Sequence, residues 1–222
     1  MKFTIPSSLR VFLYLLALFT IIGTVLLFKF DKGDIFLYLN SKGSKFLDEF
    51  FKLITLLGLG GLLAILAVIF LFIRYYYSIL FAVSLITAGI FSYLLKHVIF
   101  KGMPRPAGVF DLENLSHIVE GIKIHKYNSF PSGHTMTAFS LGIILTLILK
   151  NRTWGIVVFA ISFAVGISRI YLIQHFFIDV YVGALIGTAY TLLIHYLIGH
   201  RLKLDYKPAF NGNLLSLIRK RK

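Results

Sequence analysis

Apolar positions in this chain do not alternate with polar ones. They gather into long uncharged runs at residues 11–28, 53–73, 75–95, 127–149, 153–168 and 180–199. Each run is close to the ~20 residues that cross a hydrocarbon core as helix. In lipid a single segment can satisfy its own backbone polar groups only as helix. The pattern therefore predicts an all-α fold, a six-transmembrane-helix integral membrane bundle with a polar extracytoplasmic loop between helices 3 and 4. The first run is too long for a signal-peptide core, has no small-residue cleavage site after it and leads into the charged stretch FKFDKGD, so it is expected to remain as a span. No fixed-period repeat or low-complexity linker divides the chain, and residues 1–222 are expected to form a single membrane-embedded domain.

Two stretches interrupt the apolar pattern. Residues 29–52 mix charges with Phe36, Leu37, Leu39, Phe46 and Phe50, which predicts an amphipathic segment lying in the membrane interface. Residues 96–130 contain Pro104, Pro106, several charges and three histidines and form the longest polar connection, a common home for function. Gly183 and Gly187 have the small-xxx-small spacing that lets membrane helices approach closely, a weak pointer to packing, and Gly58, Gly60 and Gly61 carry a similarly weak signal.

Composition agrees with a lipid environment: 58% of residues are hydrophobic, 14% are charged and the mean hydropathy is +0.84. Charge then orients the bundle, because basic residues in short loops stay cytoplasmic. The N-terminus, the turn at Arg74, the turn at 150–152 and the tail 200–222 carry 12 Lys or Arg against Asp205 alone; the other side carries 11 basic and 8 acidic residues. Both termini are expected in the cytoplasm. Tyr75, Tyr76, Tyr77 and Trp154 flank Arg74 and Arg152 as interfacial aromatics do. Much of the net charge of +14 lies in the tail, where anionic headgroups are the expected partner and nucleic acid is not. The absence of cysteine excludes disulfides, thiolate metal sites and cysteine nucleophiles.

Three polar clusters lie at the ends of these runs. In FPSGHT, residues 130–135, Pro131, Ser132 and Gly133 form a turn before a helix whose first N–H groups and dipole suit an anion, with His134 at the same mouth. An ordinary helix start with a capping serine would look the same. In SRIYLIQHFFID, residues 168–179, His175 and Asp179 stand four apart, so on a helix the carboxylate can hold one ring nitrogen and present the other as base or nucleophile. Arg169 offers a fork that suits phosphate, although a buried Arg and Asp can also simply neutralise each other. In LKHVIFKGMPRP, residues 95–106, Lys96, Lys101 and Arg105 are cations leaving the third run. The third span runs outward, the fourth starts outside and the fifth ends where the sixth begins, so all three clusters are expected at one extracytoplasmic rim.

With these residues the chain resembles the type 2 phosphatidic acid phosphatase superfamily, membrane branch. Its signature is a lysine followed by Arg-Pro, then Pro-Ser-Gly-His, then Ser-Arg, five residues, His, three residues, Asp. Residues 131–134 and 168–179 fit the last two elements without a gap, and the motif region is 96–179. The family commonly has six residues between the lysine and Arg-Pro, whereas Lys96 and Arg105 enclose eight. Either Lys96 keeps the role across an insertion or Lys101 takes it; the helix-end position favours Lys96.

The resemblance implies a metal-independent lipid phosphatase without cofactors. His175 would attack phosphorus to give a phosphohistidine, Asp179 would fix its tautomer, and His134 would protonate the leaving oxygen. Lys96, Arg105, Arg169 and the Ser132 and Gly133 amides would clamp the phosphate. Lipid A, phosphatidylglycerol phosphate, undecaprenyl pyrophosphate and phosphatidic acid suit this chemistry equally, with the bilayer as setting and no obligatory protein partner. The minimal loops look like bacterial members, which implies an inner membrane location with the site facing the periplasm. Rival readings are a lipid phosphotransferase on the same scaffold, a lipid transporter that binds without cleavage, and a non-catalytic scaffold. The vanadium-dependent haloperoxidases share the motifs but are large and soluble. His195, twenty residues past His175 and about 30 Å away along a helix, is expected to be structural or interfacial. His97, His117 and His125 are expected to be solvated, since no paired spacing suggests a metal site.

Overall fold

Among the described residues, 5–219 of a computed structural model, helix is the only regular secondary structure. The extreme basic residues of both termini, Lys2 and Lys220 to Lys222, lie outside the described residues. The helices are α1 (Ser7–Lys29), α2 (Asp34–Asn40), α3 (Lys45–Thr55), α4 (Gly60–Leu71), α5 (Tyr75–Leu94), α6 (Gly133–Leu149), α7 (Arg152–Tyr171), α8 (Phe177–Ile194), α9 (Pro208–Asn211) and α10 (Leu214–Arg219). α5 and α8 each continue into a widened π-helical segment, Leu95–Ile99 and His195–Arg201.

The span count differs from the six apolar runs. Among the described residues four helices are long and apolar enough to cross a bilayer: Ser7–Lys29, Tyr75–Ile99, Arg152–Tyr171 and Phe177–Arg201. A bent pair, Lys45–Gly58 with Gly60–Leu71 at 54°, supplies a fifth candidate. The run 127–149 becomes helical only from Gly133, and at 17 residues α6 is about 25 Å long, short of a ~30 Å hydrocarbon core. The reason is its position. α6 is surrounded by α1, α5, α7 and α8 and buries most of its side chains among them, so protein and not lipid surrounds it.

The run 53–73 is likewise not one helix. It breaks through a 3-10 turn at Leu56–Gly58 and an extended Leu59. Three glycines in GLGG make the break inexpensive, and Gly58 is required by proximity: a β-carbon there would sit 2.8 Å from Val165 Cγ1 and 2.9 Å from His134 Cβ. The broken turn thus rests on the start of α6. The helix that leads into the break, α3, belongs mostly to the amphipathic stretch, which folds as two helices, α2 and α3.

Small residues set the helix spacing. Gly183 and Gly187 of α8 face α6, where added β-carbons would meet Ser132 O at 2.8 Å and Met136 Cα at 2.9 Å. Ser8 Oγ of α1 donates to Thr146 O at 2.6 Å, and Ser162 Oγ of α7 donates to Ala138 O at 3.0 Å. These contacts draw α1, α7 and α8 onto α6.

One end of the bundle gathers the start of α1, both short turns and the described part of the tail. Ser7 Oγ donates to Lys150 O at 2.7 Å, and Arg74 pairs with Asp205 at 2.8 Å. Here the aromatic expectation divides: Trp154 is exposed, whereas Tyr76 is buried and its hydroxyl meets His195 Nδ1 at 2.6 Å. His195 is therefore a core residue at the end away from the motifs. At the opposite end, α2, α3 and the loop 100–132 interlock. Asp48 accepts from Tyr171 Oη at 2.6 Å and pairs with His117 Nε2 at 2.7 Å, and Asn40 exchanges hydrogen bonds with the His117 backbone. His117, expected to be solvated, instead ties the loop to α3.

Candidate active site

The three polar clusters converge at this second end. Ser132 caps α6 through its Oγ, which accepts from Thr135 Oγ1 at 2.9 Å and from Thr135 N at 3.4 Å. Its own amide donates to Asp179 O at 2.9 Å, so the turn before α6 is stitched to the start of α8. The Ser132 N–H expected to face phosphate is thus engaged elsewhere, and the open donors at the α6 mouth begin with Gly133. His134, the second residue of α6, stands at that mouth beneath Gly58.

α7 ends at Tyr171, and the chain reverses at Ile173 with φ +60°, an uncommon conformation for a β-branched residue. The reversal brings the amides of Gln174 and His175 onto Arg169 O at 3.0 Å each. His175 and Asp179 are 2% and 1% exposed, and Nδ1 faces Oδ2 at 3.4 Å. The same Oδ2 accepts from Phe176 N at 2.9 Å and from Ser129 Oγ at 2.5 Å. Burial first, then the charges of Lys96, Arg105 and Arg169 and the neighbouring His134, hold His175 well below the ordinary histidine pKa. The fold therefore favours the uncharged ring.

The cations fall into distinct states. Arg169 is only 8% exposed; its Nη1 donates to Thr55 Oγ1 at 2.8 Å, and among the described residues nothing accepts from its Nε. Lys96 Nζ reaches within 4.0 Å of where a β-carbon on Gly133 would lie, whereas Lys101 is exposed in the following turn. Arg105 directs Nε to Tyr127 O at 2.9 Å and Nη1 to both Gln174 O at 3.1 Å and Gln174 Oε1 at 2.9 Å. Its Nη2 meets Asn128 O only at 3.4 Å. Arg105 therefore ties the loop to the His175 turn and retains only Nη2 for an anion. Among the described residues, no three His, Asp or Glu side chains converge as a metal site requires.

Sequence reasoning missed Ser129, Thr55 and Gln174. Ser129 carried no signal beyond standing two residues before Pro131. Thr55 lay inside an apolar run, and Gln174 inside a motif known by its charged members.

A family model, PAP2 superfamily, matches residues 77–203. The chain belongs to the PAP2 superfamily. The matched region contains all three polar clusters, so the resemblance read from the motifs and the family match agree. Over 84 residues the chain is 42% identical to the bacitracin transport permease protein BcrC of Bacillus licheniformis, a match covering 37% of this chain and 38% of that relative's length. Among solved structures it is similar to LpxE of Aquifex aeolicus, with TM-score 0.63 and 28% identity over 74% of this chain and 95% of the other. It also shares the fold of a transmembrane PAP2-type phosphatidylglycerolphosphate phosphatase from Bacillus subtilis, with TM-score 0.61 and 23% identity over 88% and 97% of the two chains. Its apolar helices and these relatives make this PAP2 superfamily member a multi-pass membrane protein.

Proposed function

We propose that this protein hydrolyses a lipid phosphate or pyrophosphate through a phosphohistidine at His175, without a metal ion. The observation that carries the reading is Arg169: a guanidinium nine-tenths buried, with an Nε that no described residue accepts from, beside two histidines and Lys96. A buried donor without an acceptor is costly, and a phosphate oxygen would satisfy it. With Nδ1–H directed at Asp179, His175 Nε2 attacks phosphorus as the bond to the leaving oxygen breaks, and His134 gives that oxygen its proton. His134 then takes a proton from the water that displaces His175 from phosphorus, releasing phosphate. Lys96, Arg169, Arg105 Nη2 and the Gly133 amide stabilise the charge on the equatorial oxygens during both transfers.

The proposed setting is a bacterial inner membrane with both termini cytoplasmic and the site toward the periplasm. There α6 and the bent pair complete six membrane-embedded helical segments around the site. The name of the Bacillus subtilis structure points to a lipid phosphate, and phosphatidylglycerol phosphate, lipid A, undecaprenyl pyrophosphate and phosphatidic acid form the panel to test. The test is phosphate release from this panel by purified protein in detergent with excess chelator. Free phosphate from at least one lipid supports the reading; transfer of label to an acceptor lipid would make it a phosphotransferase, and activity lost on chelation would refute the metal-free mechanism. The name of the Bacillus licheniformis relative, a transport permease, favours a second reading, a transporter that binds lipid phosphate without cleaving it. A phosphorylated His175 would exclude that reading.

A further inference from the structure

We propose that Ser129 is a positioning residue for the His175–Asp179 pair, holding the carboxylate so that the imidazole keeps its proton on Nδ1 and offers Nε2 to phosphorus. This rests on the phosphohistidine reading above and deepens it. Ser129 is 1% exposed and lies in the loop before α6, outside the three polar clusters, with its amide anchored on Met103 O at 3.0 Å. Its hydroxyl donates to Asp179 Oδ2 at 2.5 Å, and the same Oγ stands 3.4 Å from His175 Nδ1.

The geometry is a small closed triangle. Oδ2 lies 3.4 Å from Nδ1, no nearer than Ser129 Oγ does, while its short contacts are to Ser129 and to the Phe176 amide. A serine hydroxyl has one hydrogen and two lone pairs. With its hydrogen committed to the carboxylate, Ser129 Oγ is left as a second acceptor toward Nδ1–H. Two acceptors on one side of the ring fix the tautomer with the proton on Nδ1 and the lone pair on Nε2. Donors from Ser129 and Phe176 also disfavour transfer of that proton to Asp179. As Nε2 bonds to phosphorus the ring becomes cationic, and the anchored carboxylate is already in place to stabilise it. Ser129 touches no reacting atom; it acts through Asp179.

Every charged group near the pair bears on this balance. Lys96 faces His175 from the end of α5, Arg105 from the loop, Arg169 from α7 and His134 from α6, while Lys32, whose Nζ lies 4.5 Å over the Phe176 ring, bears on Asp179 from the α1–α2 connection. These remain when Ser129 is changed, so a shift in pH dependence isolates the hydroxyl.

The test uses the full-length protein in detergent with para-nitrophenyl phosphate and dioleoyl phosphatidic acid as probes. Ser129→Ala should lower kcat about ten- to hundred-fold on both, the worth of a hydrogen bond to a buried charge, with KM changed by less than about threefold. The acid limb of its kcat/KM profile should move to higher pH, because losing the donor favours the protonated pair. Ser129→Thr should restore both properties. In an Asp179→Asn background, Ser129→Ala should add less than about a twofold loss, since the hydroxyl acts through the carboxylate. Overturning results are a Ser129→Ala enzyme with wild-type kcat, a lowered kcat with the acid limb unmoved, or a full further loss on top of Asp179→Asn. Turnover that survives in His175→Ala would instead bring down the phosphohistidine reading, and this proposal with it.

Discussion

Replacing Thr55 by Val tests whether the break in the α3–α4 segment serves the phosphate site. Thr55 Oγ1 is the one protein acceptor for the Arg169 guanidinium among the described residues, at 2.8 Å, and Thr55 is itself 7% exposed. Valine preserves the shape, so no cavity forms and the change is confined to the hydrogen bond. A hydrogen bond to a charged group contributes about 1.5–3 kcal/mol, which is the expected loss of stability. The effect on turnover should be smaller and specific. An untethered guanidinium must be ordered when phosphate binds, at a cost of about 0.5–1.5 kcal/mol for a rotamer-rich side chain, equivalent to a rise in KM of about 2- to 13-fold. Once bound, phosphate holds the group in place, so kcat should stay within about twofold. Thermal unfolding in detergent measures the first effect, and phosphate release against lipid concentration measures the second. A Thr55→Val protein with wild-type melting temperature and KM would refute the claim that this turn holds Arg169. A fall in kcat with KM unchanged would show that the contact acts in the transition state instead.

Lys96→Ala should reduce kcat/KM about a hundredfold or more, as loss of a charge-stabilising donor does, and Lys101→Ala should change it little; the reverse order would assign the lysine role to Lys101. Gly187→Val should destabilise the protein by about 1–3 kcal/mol or more through overpacking against α6, whereas Gly61→Ala, with nothing within 4 Å of the added carbon, should be neutral or stabilising in a melting assay. His175 is held well below its ordinary pKa, so the folded chain refuses a proton that the unfolded chain takes up below about pH 6.5. Stability should therefore decline as pH falls below about 6.5, by up to about 1.4 kcal/mol per pH unit, and His175→Asn should show a shallower decline in acid melting curves.

The convergence of the polar clusters was more legible in the sequence than the membrane architecture. Arg169, His175 and Asp179 stand at fixed spacings, but His175 lies in the turn before α8 and not on the helix expected to pair it with Asp179; the turn, with Asp179 Oδ2 accepting from Phe176 N, brings the two to 3.4 Å. The apolar runs located the helices but not their breaks. Hydropathy registers Leu56, Leu57 and Leu59 as one continuing span, whereas the chain breaks there because Gly58 can approach His134 and Val165 closely. Hydropathy also drew the fourth run back to residue 127, although capping by Ser132 starts the helix at Gly133. The supporting residues were not legible because tertiary contact defines them. Ser129, Thr55 and Gln174 lie 50, 114 and 69 positions from the charged partners Asp179, Arg169 and Arg105. Even Arg105, found by its motif, proved to be largely engaged with loop carbonyls.

The most direct test of the mechanism is to trap the covalent intermediate on His175. In the proposed mechanism the two histidines act at different moments, so their variants should fail differently. His134→Ala removes the proposed general acid and activator of water, yet should still accept phosphate from a substrate with a good leaving group. Incubated with radiolabelled para-nitrophenyl phosphate in detergent, His134→Ala should accumulate acid-labile, base-stable label that maps to the peptide containing His175, and His175→Ala should accumulate none. Label on the His175→Ala protein, or catalytic release of phosphate by it, would contradict the account.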